Sequence, residues 1–128
     1  MTINIRFRVD FANRCSIGPG KISLLEAIGN SGSLSQAARD LRMSYRRAWL
    51  LAASMNDSFQ EPVTRAATGG KRGGGMVLTK FGKTVVKTYR EFELDILKRA
   101  SVRMRTLSRY AVKSDQQRVP TRPLKPGP

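Results

Sequence analysis

Ser33 and Ser44 each stand immediately before an apolar pattern of helical period, and only Arg42 and Met43 separate the two patterns. A serine oxygen in such a place accepts a hydrogen bond from a first-turn N–H, so both are N-cap candidates. The first pattern sets Leu34, Ala37, Ala38 and Leu41 on one face. The second carries Ala48, Trp49, Ala52 and Met55, the spacing of a buried stripe. So short a connection predicts a helix, a tight turn and a second helix crossing the first. Ala37 and Ala38 let the two approach closely, Leu41 and Met43 pin the turn from inside, and Ala48 is small where the helices lean together.

The opening turn of the second helix holds Ser44, Tyr45, Arg46 and Arg47. A helix N-terminus already favours anions, so two arginines there oppose the local dipole and are not placed for stability. In a helix-turn-helix this turn enters the major groove of a duplex. An arginine fork can take guanine O6 and N7 together. The alternative is an ordinary helical hairpin of a bundle core; the position of the cations favours the recognition helix. Gln36, Ser33 and Ser35 in the preceding helix can donate to phosphate, or serve merely as caps. For Ser33 the cap has at least equal weight.

Charge points the same way. Among 128 residues, 24 Lys and Arg oppose nine Asp and Glu, a net charge of +15 with no histidine. Such an imbalance is the usual footprint of nucleic-acid binding. The length suits one domain, and 40% hydrophobic residues suffice for a core. Cys15 is alone, so no intramolecular disulfide forms and a reducing compartment fits. Without histidine, a Cys cluster or a Ser-His-Asp set, no enzyme, cofactor or metal site is expected. Glu91, Glu93 and Asp95 read as a solvated helix face. Neither a signal peptide nor an apolar membrane span is visible, which predicts a cytoplasmic, nucleoid-associated protein with no membrane partner.

The rest of the chain falls into place around this centre. Ile3, Ile5, Phe7, Val9 and Phe11 alternate with polar residues, predicting a half-buried strand. Residues 13–20 read as a loop, and Ile22, Leu24, Leu25 and Ile28 mark a helix stopped at Asn30-Ser31-Gly32. Short strands are predicted over residues 63–67 and 76–78, joined by the glycine-rich stretch TGGKRGGGM at 68–76. That stretch lacks the G-x-x-x-x-G-K-[ST] spacing of a nucleotide loop. With strands on both sides it is a hairpin tip, where glycines permit positive φ and close backbone approach. Arg65, Lys71, Arg72, Lys80 and Lys83, with no intervening acid, make it the basic wing of a winged helix. Thr79 caps a last helix whose stripe of Phe81, Val85, Tyr89, Phe92, Ile96, Ala100, Met104 and Leu107 runs to about Ser108. A winged-helix core cannot cover that length, so Val85, Tyr89, Phe92, Ile96, Ala100, Met104 and Leu107 are expected to dimerise the chain.

The predicted fold is thus mainly α with a small β-sheet. It consists of a winged helix-turn-helix over residues 1–78, a long dimerisation helix over 79–110 and a disordered Pro-rich basic tail over 111–128. A sequence-specific double-stranded DNA binder acting as a homodimer is the function expected. A sequence-indifferent architectural DNA binder, an RNA binder or an adaptor for a protein partner is the alternative.

The run ISLLEAIGNSGSLSQAARDLRMSYRRAW, the pair Met55-Asn56 and the stretch VTRAATGGKRGGGMVLTKFG also carry a family likeness. Together they resemble the amino-terminal domain of the molybdate-responsive, ModE-type transcriptional regulators, relatives of the LysR-type helix-turn-helix. The resemblance spans about residues 1–108. It implies a dimeric regulator with residues 44–47 in the major groove, Lys71 and Arg72 on flanking DNA, and dimerisation through the long helix. Full-length members add a carboxy-terminal oxyanion-binding module, where this sequence has a Pro- and Arg-containing tail. Molybdate sensing is then either absent or delegated to a separate effector or sensor protein. Arg42 stands where the family often has glycine, a position expected to need positive φ.

Overall fold

The computed structural model describes residues 3–67 and 75–112. Nine elements follow one another within them: β1 (Val9–Asp10), β2 (Ser16–Ile17), α1 (Pro19–Ser31), α2 (Leu34–Asp40), α3 (Tyr45–Ser58), β3 (Thr64–Ala67), β4 (Gly75–Leu78), α4 (Lys80–Arg103) and α5 (Arg105–Tyr110). The strands form two antiparallel pairs, β1 with β2 and β3 with β4.

Helix α1 is the centre of the core. Pro19 sits at its first turn, where a missing N–H costs nothing and φ is already set. Gly32, at φ 71°, ends it with an N–H bond to the Ile28 carbonyl. Ile22, Leu24, Leu25 and Ile28 are fully buried, and the helix touches α2, α3, α4 and β4. Leu34, Ala37 and Ala38 of α2, and Ala48, Ala52 and Met55 of α3, close over it.

The β3–β4 hairpin pairs Thr64 with Leu78 and Ala67 with Gly75. Its base is held twice. The Thr79 N–H donates to the Val63 carbonyl, and the Thr79 hydroxyl donates to the Pro62 carbonyl while capping α4 at Gly82 N–H. Gly82 lies directly beneath this junction: a Cβ there would overlap the Val63 carbonyl oxygen and stand 2.9 Å from its carbon. The Met76 N–H bonds to the Gly32 carbonyl, which ties β4 to the end of α1.

Several sequence expectations change. Residues 3–10 do alternate between half-buried and exposed, but only Val9 and Asp10 form a ladder, because β2 is their one short partner. The inner residues lie instead on α4: the Phe7 ring stacks on Tyr89 at 4.5 Å, and the Tyr89 hydroxyl donates to the Phe7 carbonyl at 2.7 Å. The expected loop at 13–20 contains β2 and the first turn of α1. Trp49 is not part of the buried stripe of α3, since Ala48, Ala52 and Met55 already fill the space against α1 and α2. The long last helix is interrupted at Met104 (φ −91°, ψ 2°), and the α5 segment beyond it buries no residue that would hold it in register. The wing tip at 68–74 and the tail from 113 lie outside the described residues.

Candidate nucleic-acid interface

Helices α2 and α3 are joined by a backbone turn with two closing hydrogen bonds. The Arg42 N–H bonds to the Arg39 carbonyl and the Met43 N–H to the Ala38 carbonyl, both near 3 Å. This is the Schellman pattern, which requires a left-handed residue just past the helix end. Arg42 fills that place at φ 56°, so the expected positive φ is present without glycine. Met43 is half-buried against the core, as its role as an inner pin requires.

Both serines act as caps. The Ser33 Oγ accepts from the Gln36 N–H at 3.1 Å, and the Ser44 Oγ accepts from the Arg47 N–H at 3.0 Å. Each hydroxyl keeps its proton for a further acceptor. Ser35 is exposed. The Gln36 amide is engaged along α2, donating to Asp40 Oδ1 and accepting from Arg39 Nη2, both at 2.8 Å.

Tyr45, Arg46 and Arg47 are all exposed on the first turn of α3. Among the described residues, neither arginine is paired with a carboxylate. Arg65 is exposed on β3, and Lys80 and Lys83 are exposed on the first turn of α4. The bonded junction of Val63 with Thr79 brings Arg65 and Lys80 to the same hairpin base. Two lysines at a helix N-terminus add to the positive end of its dipole, as the arginines of α3 do. Lys71 and Arg72 lie outside the described residues.

The proposed dimerisation positions divide. Val85 and Tyr89 are buried within the chain's own core, so neither is left for a partner. Ile96 and Ala100 are half-buried, whereas Phe92, Met104 and Leu107 are exposed, as are Leu94 and Val102 beside them. Glu93 is not simply a solvated acid. Arg90 meets Glu26 of α1 through Nε and Nη2 at 2.9 and 2.7 Å, and Glu93 through Nη1 at 2.8 Å. The bond to Glu26 holds the guanidinium pKa above its usual value. Burial pushes the Tyr89 phenol up as well.

Reasoning from periodicity missed two exposed side chains on α3, Trp49 and Leu50. Trp49 lies four residues after Tyr45, one turn along the same row, and that spacing was the available signal. Among the described residues there is no group of three or more His, Cys, Asp and Glu able to hold a metal, and no helix long and apolar enough to cross a membrane.

Against known proteins, the chain is 43% identical over 82 residues to the molybdenum-pterin-binding protein MopB of Rhodobacter capsulatus, covering 64% of this chain and 30% of that protein. It is 45% identical over 71 residues to the transcriptional dual regulator ModE of Escherichia coli K12, covering 56% and 27%. The chain is a homologue of the ModE-type regulators. With the molybdenum transport protein ModE of Azotobacter vinelandii it shares 36% identity over 90 residues, 70% of this chain and 33% of that one. The chain therefore spans about a third or less of the relatives' length. The CbnR DNA-binding domain, solved in complex with DNA, superposes with a TM-score of 0.53 at 17% identity, covering 70% of this chain and 95% of that one. This likeness establishes the winged-helix fold. No protein-family model matches the chain.

The ModE-type signature residues have physical roles in this homologue. Met55 is fully buried. Asn56 Oδ1 accepts from the N–H groups of Val63 and Thr64 at 2.8 and 3.1 Å, and its Nδ2 donates to the Thr64 hydroxyl at 3.0 Å. The Met-Asn pair thus anchors α3 to the core and to the start of the wing hairpin, while Thr79 and Gly82 form the junction below it.

Proposed function

We propose that this chain is a sequence-specific, double-stranded-DNA-binding transcriptional regulator that acts as a homodimer. The observation that carries the reading is the first turn of α3, where Tyr45, Arg46 and Arg47 project from a capped helix end behind a tight turn. In this reading Arg46 and Arg47, with Tyr45, meet base edges in the major groove. Ser44 enters the groove with them, while Ser33, Ser35 and Gln36 contact the backbone, the Gln36 amide exchanging its on-helix bonds for a phosphate. Arg65, Lys71, Arg72, Lys80 and Lys83 neutralise phosphates of the flanking duplex.

The exposed apolar residues of α4 and α5 support dimerisation, with Phe92, Ile96, Ala100, Met104 and Leu107 facing the partner copy. The controlling signal is carried outside the matched segment or by a separate effector or sensor protein. The setting is cytoplasmic, on the nucleoid, and no catalytic step is involved.

Binding-site selection from random duplexes tests the reading, followed by titration of variants on the selected site. Arg46→Ala is expected to cost about 1–3 kcal/mol there and relax specificity at one position, whereas Lys71→Ala weakens all duplexes alike and lowers the salt slope by about 1. Equal binding to selected and random duplexes would instead favour an architectural DNA binder.

A further inference from the structure

Three large apolar side chains stand exposed on the first two turns of α3: Tyr45 at 55%, Trp49 at 51% and Leu50 at 50%. The fold does not require them. Ala48, Ala52 and Met55 complete the face of α3 that packs on the core, and no described residue accepts a hydrogen bond from the Trp49 indole. Tyr45 and Trp49 lie one above the other at a spacing of four, as do Arg46 and Leu50 in the adjacent row. An apolar row therefore stands beside a row that holds both a cation and an apolar side chain.

A chain carrying +15 attracts a polyanion, and Arg46 and Arg47 give this surface the same sign. A phosphate offers nothing to an isobutyl group and meets an indole only through its one N–H, which leaves the ring faces without a partner on the backbone. On base edges, one apolar feature projects into the major groove, the C5 methyl of thymine. Resting on the proposed DNA-binding function, we infer that Trp49 and Leu50, with the Tyr45 ring, form a reader of thymine methyl groups beside bases taken by Arg46 and Arg47. The ligand class is a duplex with thymines next to the positions the arginines contact. A protein partner fits less well, because the arginine row would have to be buried with the apolar one.

The test uses the full chain and its selected duplex, resynthesised with deoxyuridine in place of each thymine in turn. Uracil keeps every hydrogen-bonding group and removes only the methyl. At the contacted positions the exchange is expected to weaken binding about fourfold, the worth of one buried methyl. Trp49→Ala should lose the uracil effect at the thymine its indole covers, with an unchanged salt slope because no charge is lost. Arg46→Ala should keep the uracil effect. Trp49 is the single tryptophan of the chain, so its fluorescence reports the contact directly: emission should shift to the blue on the selected duplex. Preference for the selected duplex with no response to any uracil exchange overturns this inference and leaves the proposed function standing. So does a Trp49→Ala protein that retains the uracil effect in full, the result expected if this face serves a protein partner. Indifference to the selected duplex itself overturns both.

Discussion

The two halves of α4 share one sequence rhythm and have opposite environments. Up to Arg90 the helix is held on several sides. Gly82 lies under the Val63 carbonyl, Val85 and Tyr89 are buried, and Arg90 reaches across to Glu26 of α1. Beyond Arg90 no residue of the helix is buried, although Phe92, Ile96 and Ala100 continue the same spacing. A stripe of helical period thus states that something covers that face without stating what. In the first half the cover is the chain itself. In the second half the proposed cover is another copy.

The largest effect expected from disturbing this contrast is in the held half. Gly82→Ala adds a Cβ where the Val63 carbonyl already stands. Overpacking against backbone should destabilise by about 3 kcal/mol, outweighing the roughly 1 kcal/mol that alanine gains in helix propensity. Urea unfolding measures it, and a stabilised variant would show that the junction is not tight. Tyr89→Phe removes the hydroxyl bond to the Phe7 carbonyl and should cost about 1 kcal/mol. Burial raises the Tyr89 pKa in the folded state, so its contribution is complete below the unfolded value and declines as pH rises past about 10. The difference between the wild type and the phenylalanine variant should therefore shrink in alkali.

Arg90→Ala breaks a bidentate pair whose partners are more than a third exposed, so solvent screening limits its worth to about 1 kcal/mol or less, falling with added salt. The smallest effect on the fold is expected at the far end of the free half. Leu107→Glu should change monomer stability by no more than about 0.5 kcal/mol, whereas Phe92→Glu also removes the edge-on contact of its ring with Phe7 at 5.5 Å, worth about 0.5–1.5 kcal/mol. Sedimentation should nevertheless report a dimer in the wild type and a monomer in the double variant. A dimer that survives both charges would relocate the interface.

Much of the recognition unit was legible because its signals are local. Ser33 and Ser44 cap helices through bonds to N–H groups three residues on, and the two-residue connection leaves one simple turn. Arg42 at positive φ was expected only through the family resemblance, as the place where glycine is common. The hairpin was legible from strands flanking glycines. Trp49 was misplaced because it adjoins the buried row of α3 in angle, and periodicity alone does not say how wide that row is. The break at Met104 was invisible for a related reason: the apolar spacing runs through it unchanged.

By itself, then, the sequence determined the order of helices and hairpin, the caps and the placement of cations on the opening turns of α3 and α4. Each of these depends on neighbours within a turn or two. Tertiary structure decided which apolar residues are inside, that Asn56 bonds the base of the wing, that Gly82 admits no side chain, and that Arg90 belongs to Glu26, 64 residues away. Those outcomes rest on contacts between distant segments, and a residue's own periodicity carries no record of its distant partner.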